Sequence, residues 1–208
     1  VDALKEGLVN LERHINNIKK FGLTPIVAIN SFILDTKKEI SAVKDFCKSL
    51  KVEVSESTHW ADGGKGAKDL AKKVVKICKN SKIKNFKFLY KDNQSLWSKV
   101  ETISKEIYKA SSITADEDVK KQLKIFEDNG YGKLPVCIAK TQYSFSVDPK
   151  LKGAPTGHEI SIREVRLSSG AEFIVVVCGS IMTMPGLPRV PAADKIKLNK
   201  KGDIEGLF

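Results

Sequence analysis

The 208 residues carry 36 Lys and Arg against 25 Asp and Glu, a formal net charge of +11, with 41% hydrophobic and 29% charged residues. That balance is ordinary for a globular protein able to bury a core. No apolar run nears the roughly 18 residues of a membrane-spanning helix, so no membrane partner is expected.

All basic residues except Arg13, Arg163, Arg166 and Arg189 are lysine, and they spread along every predicted helix as solvated faces do. Nucleic-acid readers cluster arginine forks, so no nucleic-acid partner is expected either. The chain opens "VDALKEGL", in helical pattern and without Met or a basic-then-apolar leader, which points to a piece of a longer polypeptide. Cys47, Cys78, Cys137 and Cys178 form no CxxC pair, and Cys137 and Cys178 lie in apolar strand-like runs where a buried, inert thiol is expected. A reducing, cytoplasmic compartment fits this usage better than a disulfide framework. His14, His59 and His158 are scattered, so no metal site is expected from this chain alone.

Leu4, Leu8, Leu11, Ile15 and Ile18 recur at helical spacing and predict an amphipathic helix ending near Lys20 at "FG". "TPIVAIN" (24–30) reads as a buried parallel strand. The next helix starts at Thr36, with Glu39 completing a capping box. "KVEVSES" is a second strand, and a third helix runs from Lys65 to Lys79. This strand–helix–strand–helix order predicts right-handed parallel crossovers. After Asn80 a polar linker leads to "FKFLY" and a helix around Leu96–Tyr108. "KASSITADED" reads as a break, followed by a helix from Asp116 to Asn129 that Gly130 ends. "LPVCIAK", "HEISIREVRL" and "AEFIVVVCGS" are strand-like. The predicted fold class is α/β: a parallel-sheet unit over 1–110, then a smaller, strand-richer α+β-like unit over 111–208.

The run "HWADGGKGA" (59–67) poses the main chemical question. A Walker loop needs Gly-x-x-x-x-Gly-Lys and then Ser or Thr; here Gly66 follows Lys65, and His59 stands five residues before Gly64. The run is either a weak anion site at a helix start or a tight glycine turn. Trp60 and Phe32 each lie just beyond the carboxyl end of a predicted strand, the edge where open α/β sheets bind ligands. They either stack a flat heterocycle between them or pack into the core. Asp35 is either a helix-cap contributor or a partner for a ring N–H. The Gly/Pro loops 148–159 and 182–193 either present a rigid surface to a planar ligand or only route the chain. Arg163 and Arg166, three apart in a strand, are expected on opposite faces.

"GLVNLERHINNIKKFG", "IVAINSF", "HWADGGKGA", "KLPVCIAKTQYSFS", "DPKLKGAPTG", "REVRLSSGAEFIV" and "IMTMPGLPRVPAA" together resemble formate–tetrahydrofolate ligase over nearly the whole chain. That resemblance implies synthesis of 10-formyltetrahydrofolate from formate, tetrahydrofolate and ATP with Mg²⁺, through formyl phosphate. It implies that the chain is the C-terminal portion, with the phosphate loop and its N-terminal domain upstream, in an enzyme that is a homo-oligomer. Phe32 and Trp60 match the pterin-stacking aromatics, with Asp35 beside them, and Leu151, Pro155, Thr156 and Gly157 match the segment approaching the adenine. Catalytic residues are not assigned. Bacterial relatives often have Arg-Phe-Pro where this chain has Ser31-Phe32-Ile33, which removes a charge and a rigid proline from the pocket edge. Two alternatives stay open: a non-catalytic binding or assembly module derived from the ligase, and the ligase end of a multifunctional C1-tetrahydrofolate synthase.

Overall fold

A computed structural model describes residues 1–80, 86–140, 145–181 and 189–206. The predicted polar linker at 81–85 and most of the Gly/Pro loop 182–193 lie outside these residues. Six α-helices and eight strands alternate along the described chain, an α/β architecture with parallel strand pairs and a smaller strand-rich region.

The first layer is built on helix α1 (Asp2–Lys20), strand β1 (Ile26–Asn30), helix α2 (Lys37–Ser49) and strand β2 (Glu53–Ser57). Thr36 caps α2 through the Glu39 amide, and the Glu39 carboxylate returns a bond to the Thr36 amide at 3.0 Å, the expected capping box. β1 and β2 pair in parallel, from Ile26 opposite Glu53 to Asn30 opposite Ser57. Because α2 crosses between them, both strands run the same way and end at the same edge. The one-turn helix α3 (His59–Asp62), a 3-10 segment at Gly63–Ala67 and helix α4 (Lys68–Asn80) follow. The predicted helix from Lys65 therefore starts later, at Lys68, because residues 65–67 belong to the 3-10 segment. Gly63, at φ 57° and ψ −142°, separates α3 from that segment with a backbone conformation open to glycine alone.

The second layer is a four-stranded sheet in the order β3-β5-β6-β4, formed by Ser112–Ala115, Glu159–Ser168, Phe173–Cys178 and Val136–Ala139 respectively. β5 and β6 form an antiparallel hairpin, and β3 and β4 add in parallel at its two edges. Strand β3 corrects the sequence expectation of a break at 109–118. Its four residues, Ser-Ile-Thr-Ala, are too short a run among turn-forming residues to signal a strand, and pairing with β5 makes them one. A short hairpin of β7 (Lys197–Leu198) and β8 (Ile204–Glu205) closes the described chain.

Helices α5 (Leu96–Glu106) and α6 (Glu117–Asp128) supply Leu96, Val100, Val119 and Leu123 to the core built on this sheet. The predicted division near Ala110 runs between α5 and the sheet it covers. In β5 the register shifts between Ile162 and Glu164, so Ile162 and Val165 are both buried while Arg163 and Arg166 are both exposed. A β-bulge inserts one residue and resets the period of two, which overturns the expectation of opposite faces. Cys178 is buried as expected, whereas Cys137 is exposed: it follows buried Val136 in β4, and successive side chains of a strand point to opposite faces.

Lys99 is an exception to the solvated lysines: it is fully buried in α5. Its ammonium donates to the carbonyls of Gly132 at 2.8 Å and Leu134 at 2.9 Å and sits 5.8 Å from the centre of the Tyr90 ring. Burial lowers its pKa, while Asp92 and Glu127 act to raise it. Helix α1 ties the two layers. Asn17 donates to the Ile107 carbonyl at 3.1 Å, Lys20 pairs with Glu106, and Lys19 reaches the Leu50 carbonyl at 3.3 Å.

Leu96 has no exposed surface and stands where α5 meets α6 and the sheet. Leu96→Ala is expected to destabilise the fold by about 2–5 kcal/mol, from lost burial plus a residual cavity. Urea unfolding followed by circular dichroism checks this, and a loss under about 1 kcal/mol contradicts this core assignment.

Candidate functional site

Parallel pairing of β1 and β2 brings the residues beyond Asn30 and Ser57 to one edge. The ladder continues one step, with the Ser31 amide donating to the Ser57 carbonyl at 3.0 Å. Ser31 also donates through its hydroxyl to Glu56 Oε1 at 3.1 Å, and Lys44 holds the other oxygen, Oε2, at 2.7 Å. The chain then turns sharply over 32–35. The Asp35 amide donates to the Phe32 carbonyl at 3.1 Å, and Asp35 Oδ2 accepts from the Phe32 amide at 2.8 Å. Asp35 is thus a clamp on this turn, and the helix cap is Thr36.

On the neighbouring strand, β2 runs into α3, which carries Trp60. The Thr58 hydroxyl donates to Asp62 Oδ2 at 2.6 Å, and the Ser57 hydroxyl lies 2.9 Å from His59 Nδ1. The Thr58 amide donates to the Gly66 carbonyl at 3.2 Å. A β-carbon at Gly66 would meet the Thr58 carbonyl carbon at 2.5 Å and the His59 nitrogen at 2.6 Å. Only glycine lets the 3-10 segment lie this close against α3. "GGKGA" is therefore a turn that packs α3 into place.

Phe32 and Trp60 face each other with ring centres 6.0 Å apart and planes inclined at 35°. Neither packs into a core: Phe32 is 58% exposed and Trp60 56%. Ile33 and Leu34, at 85% and 90% exposed, extend the same apolar edge. A contiguous exposed apolar patch of this kind marks a contact surface.

Leu151, Pro155, Thr156 and Gly157 lie on a separate loop between Phe145 and β5. Leu151, Thr156 and Gly157 are exposed, and Pro155 is half-buried. Gly157 has φ +72°; its amide donates to the Lys109 carbonyl at 2.8 Å, and its carbonyl accepts from the Ser111 hydroxyl at 2.9 Å. A further apolar groove of about 430 Å³ opens beside α5, lined by Phe21, Phe88, Tyr90, Ile103 and Val136. None of the sequence-predicted site residues lines it. Among the described residues no three His, Cys, Asp or Glu side chains converge.

Sequence reasoning noted Ser31 only as a departure at the pocket edge and missed Glu56, which bonds to it beside Phe32, and Lys44, which bonds to Glu56. Glu56 carried no sequence signal, because a glutamate in a strand is ordinary. Its partners become visible only once β1 and β2 are paired.

The geometry defines an α/β protein with an exposed aromatic pair at the carboxyl edge of a parallel strand pair. The sequence model of formate–tetrahydrofolate ligases matches residues 1–208, and the chain belongs to that family. Formate–tetrahydrofolate ligases of Pelagibacter ubique, Ruegeria sp. and Roseobacter denitrificans are 62%, 57% and 55% identical to it over 208 residues. These matches cover 100% of this chain and 37% of each relative, so the chain spans a little over a third of their length.

The Lys44 ammonium, and then the Ser31 hydroxyl, hold the Glu56 carboxyl below its ordinary value of 4.5. A carboxylate with a lowered native pKa contributes stability that is complete above its unfolded value and lost as pH falls through the native one. Glu56→Gln is expected to melt lower than wild type at pH 7, with the gap closing as pH drops below 4.5. Thermal melts from pH 7 to pH 3, followed by Trp fluorescence, check this. A gap independent of pH would show that the carboxylate's charge plays no part.

Proposed function

We propose that this chain supplies the folate side of a ligase that forms 10-formyltetrahydrofolate from formate, tetrahydrofolate and ATP. The observation that carries the reading is the exposed Phe32–Trp60 pair, with ring centres 6.0 Å apart and planes inclined at 35°, each on a turn with its own side-chain bonds. A flat ring between two aromatic faces needs about 7–8 Å between their centres, two van der Waals contacts thick. From 6.0 Å the pair has to open by roughly 1–2 Å, within reach of side-chain rotation in two half-exposed residues. Asp35, oriented by the Phe32 amide, places a carboxylate at the rim where it can accept from a ring N–H.

In the reaction, formate attacks the γ-phosphorus of ATP, releasing ADP and forming formyl phosphate. The folate's N10 nitrogen then attacks the formyl carbon; the carbon–oxygen bond to phosphate breaks, and N10 loses its proton. Stacking the pterin fixes the position of N10 and lowers the entropy cost of that attack. Residues 151–157 form the nucleotide side: an apolar Leu151 and a φ-locked Pro155 suit the flat adenine face rather than phosphate. The enzyme is cytoplasmic and homo-oligomeric in this reading, and Mg²⁺ and the ATP phosphates are held by other parts of the polypeptide.

Trp60 and Trp97 are the two tryptophans, and Trp97 packs half-buried against the core of the four-stranded sheet. Titration with tetrahydrofolate is expected to quench fluorescence saturably in wild type and in Trp97→Phe, and not in Trp60→Ala. Phe32→Ala is expected to raise the Kd by about 3- to 10-fold, the worth of one aromatic face. No quenching by a chain shown folded by circular dichroism would leave only the assembly-module reading.

A further inference from the structure

The loop 148–157 carries its proposed ligand face, Leu151 and Pro155, on backbone that belongs to no strand or helix. Its first turn is closed internally: Asp148 Oδ1 accepts from the Lys150 amide at 2.9 Å, and the Asp148 carbonyl accepts from the Leu151 amide at 3.1 Å. Its exit is pinned at Gly157 by Lys109 and Ser111. The crest between these points is met by a residue from a distant element. Arg13, on α1, donates through Nη2 to the Ala154 carbonyl at 3.0 Å and through Nη1 to the Pro155 carbonyl at 3.4 Å. The same Nη1 also reaches the Tyr108 carbonyl at 3.4 Å, at the end of α5. The guanidinium carbon stands 5.2 Å from the centre of the Phe145 ring, and Phe145 itself is 3% exposed. A β-carbon at Gly153, which has φ +70°, would lie 3.4 Å from a Val9 methyl on the same helix.

We propose that Arg13 is the positioning residue for the nucleotide-side loop. Two consecutive carbonyls held by one rigid fork fix two adjacent peptide planes, and with them the tilt of the Pro155 ring and the direction of Thr156. A guanidinium can do this because its donors are coplanar and diverge; a lysine ammonium offers one point charge on a flexible stem. Phe145 keeps the fork flat by covering one face of it. Since Arg13 also bonds at Tyr108, the loop, α1 and the end of α5 are set against one another by a single side chain. This inference rests on the nucleotide reading of the loop for its ligand, though not for the anchoring itself.

The test uses the 208-residue chain with Arg13→Lys and Arg13→Ala, and three readouts. Hydrogen exchange of the segment 150–158 reports the anchor. The expected result is about tenfold faster exchange there in both variants, with unchanged circular dichroism, the loss of charge-assisted bonds to the backbone. Millimolar guanidinium is expected to restore protection to Arg13→Ala and not to Arg13→Lys, whose ammonium occupies the space. Fluorescent mant-ADP reports the ligand side, and an affinity loss of about tenfold is expected in both variants. Quenching of Trp60 by tetrahydrofolate should stay unchanged, which a general loss of stability would not allow. Unchanged exchange over 150–158 overturns the proposal, and so does an equal loss of both ligands. If the wild-type chain takes up no mant-ADP, the nucleotide reading fails while the exchange result still decides the anchor.

Discussion

Everything at the candidate folate site depends on β1 and β2 being parallel and in the register that sets Asn30 opposite Ser57. Had the two strands formed a hairpin, Phe32 and Trp60 would lie at opposite ends of the pair. With a helix crossing between them, both leave the sheet at one edge, two and three residues past the last pair. A shift of one residue in this register would also turn Glu56 away from Ser31 and release the brace behind Phe32. The capping box at Thr36 serves the same end, because it starts α2 immediately after the turn that Asp35 closes.

The site itself is made of exposed aromatics on short loops, and loops hold a shape only where their polar groups are spoken for. Each turn here has its own internal lock: Asp35 on the Phe32 amide, Asp62 on the Thr58 hydroxyl, Gly66 against Thr58. These locks are local to each turn, and the two turns are joined to one another behind the rings, where Ser31 bonds to Glu56 and Ser57. The loop at 151–157 follows a different plan, with its crest bonded to a helix far away in sequence.

The second layer shows how a buried charge can stabilise a route for the chain. Lys99 lies under the 3-10 turn at Tyr131–Lys133 and satisfies two of its carbonyls, which otherwise would face the core without partners. Helix α5 is amphipathic in the usual sense, yet its fully buried face includes this lysine beside Leu96 and Val100. Composition alone places every lysine on a solvated face, and the exception becomes visible only when α5 is laid against the turn.

The amino-acid sequence by itself determined the helices with long apolar stripes, the capping box, the parallel order of the first layer and the two aromatics worth watching. It determined these because periodicity, cap chemistry and crossover handedness are local or nearly local rules. Membership of the ligase family was also legible, since motifs in fixed order do not depend on packing. What tertiary structure decided was of another kind. Strand β3 exists because β5 lies beside it; Arg163 and Arg166 share exposure because a bulge resets the count in β5; Cys137 is open because it stands on the face of β4 opposite buried Val136. Whether Phe32 and Trp60 were core or surface could not be read from spacing, because an aromatic beyond a strand end packs inward or outward according to what covers it. The same holds for Arg13, an ordinary helix residue in sequence whose three carbonyl partners stand 95, 141 and 142 residues away. Contacts across such separations are set by how whole elements dock, which no local pattern of residues encodes.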